Sequence, residues 1–364
     1  MMAPPLSCRD IRTLLRKLSR CSRPDEQRQA LTTIAELSHC TSQDVLANIA
    51  AAGAVPPLVQ LLGPFFNADM QETAAGALWG LSGNAENSAI IAAAGAIPSL
   101  VQLLGPDCPA EMQECAAGAL ANLACHADNA VAIAAAGAIP QLVLLLAPGS
   151  SADVQKHAAR ALWNLSRNDD DNKVTIAAAG AIPRLVQLLG ARSSIEVQEN
   201  AAGALDCLAD KAENVAAIAA AGAIPELTKL LGPRSPAKVQ QRAACALWGL
   251  ADYAGNATTI AAAGAISALV KLLGPESPAE MQENAAAALT ALAEYAENAA
   301  AIAAAGAIPP LVQLLRPGSD DFTKSVAARA LKVLAASSAE NHAAVKADAA
   351  SFNVLAALNK RTGL

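Results

Sequence analysis

A short apolar phrase, AGAIP or a close variant, places a glycine at positions 53, 95, 137, 180, 222, 264 and 306, with steps of 42, 42, 43, 42, 42 and 42 residues. No other feature constrains the fold as tightly. A period of this length describes an array of like units, each too small to bury its own apolar face and each dependent on its neighbours for a core. Composition says what the units are made of. Hydrophobic residues make up 54% of the chain but aromatics only 2%, so the apolar content is mostly Ala, Leu, Ile and Val. Alanine-rich, aromatic-poor segments pack as close helices and rarely build sheets.

Each copy parses into three helices. The first is expected to open on an asparagine acting as N-cap (Asn87, Asn129, Asn172, Asn214, Asn256, Asn298, Asn341), with an inward Ile or Val four residues on, such as Ile91 or Val345. The glycine ends it, because only glycine takes a left-handed conformation without steric cost. A proline three residues later (56, 98, 140, 183, 225 and 309, with Ser267 in the sixth copy) is expected at the first position of the second helix. After a polar loop comes the third and longest helix, as in AEMQENAAAALTALAEYA at 279–296.

These phrases, N-x-x-x-I-A-x-A-G-A-I-P-x-L-V-x-L-L followed by V/M-Q-E-x-A-A-x-A-L-x-x-L, resemble the armadillo repeat family from about residue 9 to 360. The resemblance implies an all-α, right-handed superhelical solenoid whose third helices line a concave groove that binds peptides or partner proteins. The implied organisation is a tail over 1–8, a capping partial repeat over 9–40, seven repeats over 41–338 and a C-terminal capping partial repeat over 339–364. In the last, Ala349 and Phe352 stand at the Gly and Pro positions. The expectation is a bare repeat array of the plant or algal type: there is no room for a U-box, and the Met-Met-Ala start lacks the glycine that myristoylation needs.

Other chemistries find little support in the residues. His39, His126, His157 and His342 are scattered, and no GxSxG, P-loop or HExxH phrase occurs. Eight cysteines without a CxxC pair read as reduced thiols of a cytosolic or nuclear protein; Cys8, Cys21, His39 and Cys40 match no common zinc spacing. The alternative location is an organelle, because the N-terminus is Arg-rich and acid-poor like a transit peptide. Residues 130–148 carry no charge, but a mid-segment Gly and Pro argue against a membrane span. Asp169-Asp170-Asp171, at the single-residue insertion, reads as a solvated loop. A net charge of −6 argues against a nucleic-acid surface.

The informative residues are on the third helices. With Leu78 at the centre of the core face, Ala74, Leu81 and Ala85 fall beside it, and Glu72, Gly76, Trp79 and Gly83 fall opposite. Trp79, Trp163 and Trp248 occupy equivalent positions in alternate copies, where each ring either points into the groove or packs against the next repeat. The third copy is basic on this face (Lys156, Arg160, Arg167), and the fourth to sixth are acidic (Asp206, Asp210, Asp252 and Glu294 among them). The tryptophans are expected to anchor a ligand, the carboxylates to meet a basic segment over repeats four to six, and the bases to take an acidic stretch.

The expectation is therefore a monomeric, non-catalytic scaffold for a protein or peptide ligand, with no catalytic, cofactor or metal site and no membrane anchor. Two alternatives are an adaptor for a ubiquitin ligase or trafficking complex, and a basic-peptide receptor like importin-α. That branch carries an Asn four residues after its Trp; Gly83, Arg167 and Asp252 stand there in this chain.

Overall fold

The computed structural model describes residues 8–18, 23–39 and 42–363. The first seven residues, Cys21 and Cys40, named above, lie outside them. Among the described residues there are 25 helices and no β-strand. The chain divides into two compact units, residues 1–184 and 185–364.

The first unit opens with α1 (Cys8–Lys17) and α2 (Pro24–Ser38), and continues with three complete triplets. These are α3 (Gln43–Ala51), α4 (Val55–Leu61) and α5 (Ala68–Leu81); α6 (Ala85–Ala93), α7 (Ala96–Gln102) and α8 (Ala110–Leu123); α9 (Ala127–Ala135), α10 (Ala138–Leu145) and α11 (Ala152–Asn168). α12 (Asp170–Ala178) follows, and α13 (Ala181–Leu188) contains the junction. The second unit holds α14 (Ile195–Leu208), then α15 (Ala212–Ala220), α16 (Ala223–Leu230) and α17 (Ala237–Ala251), then α18 (Ala254–Ala262), α19 (Ala265–Leu272) and α20 (Ala279–Ala293). It ends with α21 (Ala296–Ala304), α22 (Ile308–Gln313), α23 (Asp321–Ser337), α24 (Ala339–Ser351) and α25 (Leu355–Thr362). Third helices stack side by side within each unit: α2, α5, α8 and α11 in the first, and α14, α17, α20 and α23 in the second.

All seven repeat glycines have φ between +77° and +92°, the left-handed conformation that stops the first helix. At Gly137 the turn sets α9 and α10 at 86°, so residues 130–148 form a right-angled pair. Among the described residues no single helix is long and apolar enough to cross a membrane. The inward residues Ile91, Ile133, Ile176, Ile218, Ile260, Ile302 and Val345 are all fully buried. Each such side chain contributes about 1.5–3 kcal/mol of burial.

The repeated asparagine is not the N-cap. Asn87 sits at the third position of α6, where Asn84 accepts the capping bond from its N–H. Buried instead, the Asn87 amide donates at 3.1 Å both to the Leu81 carbonyl ending α5 and to the Leu46 carbonyl of α3. Asn172, Asn214 and Asn256 likewise donate to Leu165, Leu208 and Leu250, and Asn298 donates back to Ala257. The two amide donors of an inward asparagine let it serve two carbonyls at once, including one that a helix end leaves open.

The prolines fall one or two residues later than expected. Pro56 and Pro309 are second in α4 and α22, and Pro98 is third in α7; these positions still lack an intrahelical N–H bond to lose. The acidic run is not a loop. Asp169 caps α12, accepting from the N–H groups of Asp171 and Asn172, and Asp170 and Asp171 lie in its first turn, where the helix dipole favours anions. Ala85 does not extend the α5 core stripe, because α5 ends at Leu81 and Ala85 is the exposed first residue of α6.

The glutamine of the V/M-Q-E phrase closes each copy. Gln113, Gln155, Gln240 and Gln282 donate at 2.7–2.9 Å to the carbonyls of Gly105, Ala147, Gly232 and Gly274, just past the second helix. In the seventh copy Lys324 takes over, donating to Ser319. At the C-terminus, Ala349 lacks glycine's freedom, so α24 runs on to Ser351 and Asn353 supplies the left-handed residue at φ +58°.

Candidate functional site

The third-helix faces opposite the core carry the residues singled out in sequence, and they do so separately in each unit. In the first unit, Ala74, Leu78 and Leu81 of α5 are fully buried and turn Trp79 to the other side. The Trp79 indole is half-buried and lies flat on α8. A methyl placed on Gly118 would stand 2.6 Å from the ring, closer than real contacts allow. Reaching across that glycine, the indole meets His157 of α11 edge-on at 4.7 Å between centroids, with His39 on its other side at 6.0 Å.

His157 is 4% exposed, and neither ring nitrogen has a hydrogen-bond partner in the structure. Burial, reinforced by the neighbouring Lys156 and Arg160 charges, holds its pKa down at about 4, so the ring is neutral near pH 7. The basic group of the third copy is partly engaged. Lys156 pairs with Asp153 one turn earlier, and the Arg167 guanidinium sits 5.9 Å above the Trp163 ring. Arg160 and Trp163 are half-buried. Neighbouring third helices are also cross-linked: Asn122 donates to the Ser82 hydroxyl, and Asn164 to the Ala121 carbonyl at 2.8 Å.

Acidic groups face one another along the start of these helices. Glu72 is pushed above the usual carboxylate range by burial and by Glu111 and Asp69. Glu114 rises for the same reasons, through burial and Asp153, with Lys156 opposing. Each carboxylate therefore stands in a negative potential set by the next repeat.

In the second unit a slot of about 200 Å³ opens between α17, α20 and α23. Trp248 forms one wall and Val326 and Arg329 the other. The floor is Ala287, Ala291 and Thr290, whose hydroxyl donates back to the Ala286 carbonyl at 2.7 Å. Asp252 stands at the mouth, its carboxyl pushed up by partial burial and by Glu294 and pulled down by Arg329. Glu294 is already matched, in a salt bridge with Arg329. Asp206 accepts a hydrogen bond from Cys245, whose thiol burial and that carboxylate push up to about 12; Asp210 is exposed beyond the end of α14.

The structure thus brings Trp248 and Asp252 to one slot, ties Glu294 to the Arg329 of its wall, and brings Trp163 with Arg167 to one stack. Trp79 is set among His39, Gly118 and His157. The sequence alone assigns no role to Arg329, His157 or Gly118. The signal for Gly118 was available: a small residue stands opposite the preceding copy's tryptophan, Gly118 after Trp79 and Ala287 after Trp248.

The Armadillo/beta-catenin-like repeat family model matches residues 42–83, 126–167, 169–205, 254–294 and 296–336, more than half of the chain. Among solved structures the chain is similar to an engineered protein at 34% identity and a TM-score of 0.85, over 98% of this chain and 85% of that one. A designed armadillo repeat protein aligns at 29% identity and TM-score 0.61, over 66% of this chain and 99% of its own. Another, in complex with the peptide (KR)4, aligns at 28% and 0.59, over the same shares. No curated protein matches the chain.

Proposed function

The chain belongs to the Armadillo/beta-catenin-like repeat family, an all-α repeat solenoid, and from that premise we propose that it is a non-catalytic scaffold whose third-helix faces hold a segment of a partner protein. The second unit takes a basic segment: a cationic side chain lays its stem on Trp248 and brings its charge to Asp252. One observation carries this reading, the slot itself, in which an indole wall, a small-residue floor and an acidic mouth stand together. Such a wall binds a cation by its face and a stem by its surface, while the carboxylate supplies the charge. The designed relative held with (KR)4 supports the same ligand class.

The like-charged carboxylates point the same way. Glu72, Glu114 and Asp252 each carry a pKa raised first by partial burial and then by a neighbouring acid, and a bound cation relieves the second of these costs. In the first unit, Arg160 with Lys156 and Arg167 takes an acidic stretch of the same partner. The positions four residues after the tryptophans, Gly83, Arg167 and Asp252, offer no side-chain amide. A ligand is therefore held through its side chains, unlike backbone capture in an importin-α-like receptor. The scaffold works as a monomer in the cytosol or nucleus; imaging of the tagged chain and sedimentation test those two points. An adaptor for a ubiquitin ligase or trafficking complex would use the same faces, and co-purified ligase subunits would establish it.

The test is titration of labelled (KR)4 against the protein. Trp248→Ala is expected to weaken binding about 10-fold, as truncating an aromatic anchor does. Equal affinity for wild type and variant, with unchanged helicity, overturns the assignment of the slot.

A further inference from the structure

The slot beside Trp248 already contains a cation. Arg329 projects from α23 into its wall, closes a salt bridge on Glu294 of α20, and offsets part of the negative potential at Asp252, the C-cap of α17. One guanidinium from the seventh copy thus lies where the sixth-copy carboxylate would otherwise meet a ligand. We propose that Arg329 is an internal competitor for the cation site of the second unit, a specificity-determining residue that sets how strongly basic segments bind there. This inference rests on the reading of the slot as a site for a basic segment.

Three features carry it. First, Asp252 and Glu294 occupy the C-caps of α17 and α20, where the helix dipole disfavours anions, so neither carboxylate is placed for the stability of its own helix. Glu294 is compensated by Arg329 from another copy; Asp252 makes no salt bridge among the described residues. Second, the pair is open to exchange. The Arg329 side chain is 66% exposed and that of Glu294 is 49% exposed, so the bridge is held in water and an incoming cation can displace it. Third, Arg329 is bridged to one acid only: it pairs with Glu294, while Asp252, the acid that lines the slot with it, forms no salt bridge among the described residues.

A segment with one cation then finds Asp252 open and Glu294 taken. A segment with two adjacent cations satisfies both acids by swinging Arg329 out. The device discriminates by charge density: it suppresses weak, singly charged ligands more than dense ones.

The experiment compares (KR)4 binding to wild type, Arg329→Ala, Arg329→Gln and Lys332→Ala. Lys332 lies on the same helix but does not line the slot, so its removal measures the general effect of losing one positive charge. The expected result is that both Arg329 variants tighten (KR)4 binding by about 5-fold beyond the Lys332 variant, the factor set by an exposed ion pair near the top of its range. The helical circular dichroism of all four proteins should coincide. Arg329 variants that bind no tighter than Lys332→Ala, or more weakly, overturn the proposal while leaving the slot's assignment intact. A protein that binds (KR)4 in none of the four forms overturns both. Binding seen only after Arg329 is removed supports the competitor in its strongest form.

Discussion

Replacing Gly118 with alanine probes how the Trp79 face is built. Helical glycine to alanine ordinarily stabilises by about 1 kcal/mol, because the unfolded chain loses freedom. Here the new methyl would sit 2.6–2.8 Å from three atoms of the Trp79 indole, so the ring must lift off α8. Lifting it also breaks the edge contact with His157 at 4.7 Å. Overpacking of this kind costs about 1–3 kcal/mol, so the net effect of Gly118→Ala is a loss of about 0–2 kcal/mol. In a Trp79→Ala background the obstruction is gone, and the same substitution should gain about 1 kcal/mol. The coupling between the two positions is therefore about 1–3 kcal/mol. Since repeat arrays open in pieces, the assay is amide hydrogen exchange of α5 and α8 across the four members of the cycle. Gly76→Ala is the internal control: its methyl meets only the Cys115 sulfur, at 3.5 Å, and should be tolerated. If Gly118→Ala stabilises wild type and the Trp79 variant equally, the indole does not rest on α8 and the description of this face is wrong.

His157 gives a pH signature. Its folded pKa of about 4 lies below the ordinary 6.5, so the unfolded chain takes up the proton first and stability is lost as pH falls through that window. The loss approaches about 3 kcal/mol at its acid end. His157→Phe, which keeps a ring against Trp79, should flatten the profile between these values in denaturation at a series of pH values. Gly222→Ala places a methyl at φ +83° and should cost about 1–2 kcal/mol, read as faster exchange in α15 and α16. Asp252→Asn should raise thermal stability by a few tenths, about 0.3–1 kcal/mol, because an anion leaves a helix C-terminus, while weakening (KR)4 binding. A variant that loses both stability and binding would show that the carboxylate is structural.

How far the sequence carried depends on the range over which each signal acts. Period, helix order and the left-handed glycines are local, and Gly53 to Gly306 behave as read. The asparagines were misplaced because one residue type serves two purposes: an N-cap and a buried amide look alike until the carbonyls of Leu81 and Leu46 are seen around Asn87. Ala349 misled in a milder way, since losing the glycine lengthens a helix instead of ending it. The repeated glutamine was visible as a pattern, but its purpose depends on a carbonyl about eight residues back across a loop. At the candidate site the residue types were legible and their pairings were not. Arg329 and Glu294 stand 35 residues apart, and nothing local to either announces the bridge.

The central claim is that a basic segment lies against Trp248 and Asp252. Its most direct test is photo-crosslinking with (KR)4 carrying one photoreactive residue, followed by peptide mapping of the labelled positions. The account predicts labels concentrated on α17, α20 and α23 around Trp248, Ala287 and Val326, suppressed by excess unlabelled peptide and by Trp248→Ala. Labels that fall instead on the exposed faces of the first helices, or that spread evenly and resist competition, would contradict it.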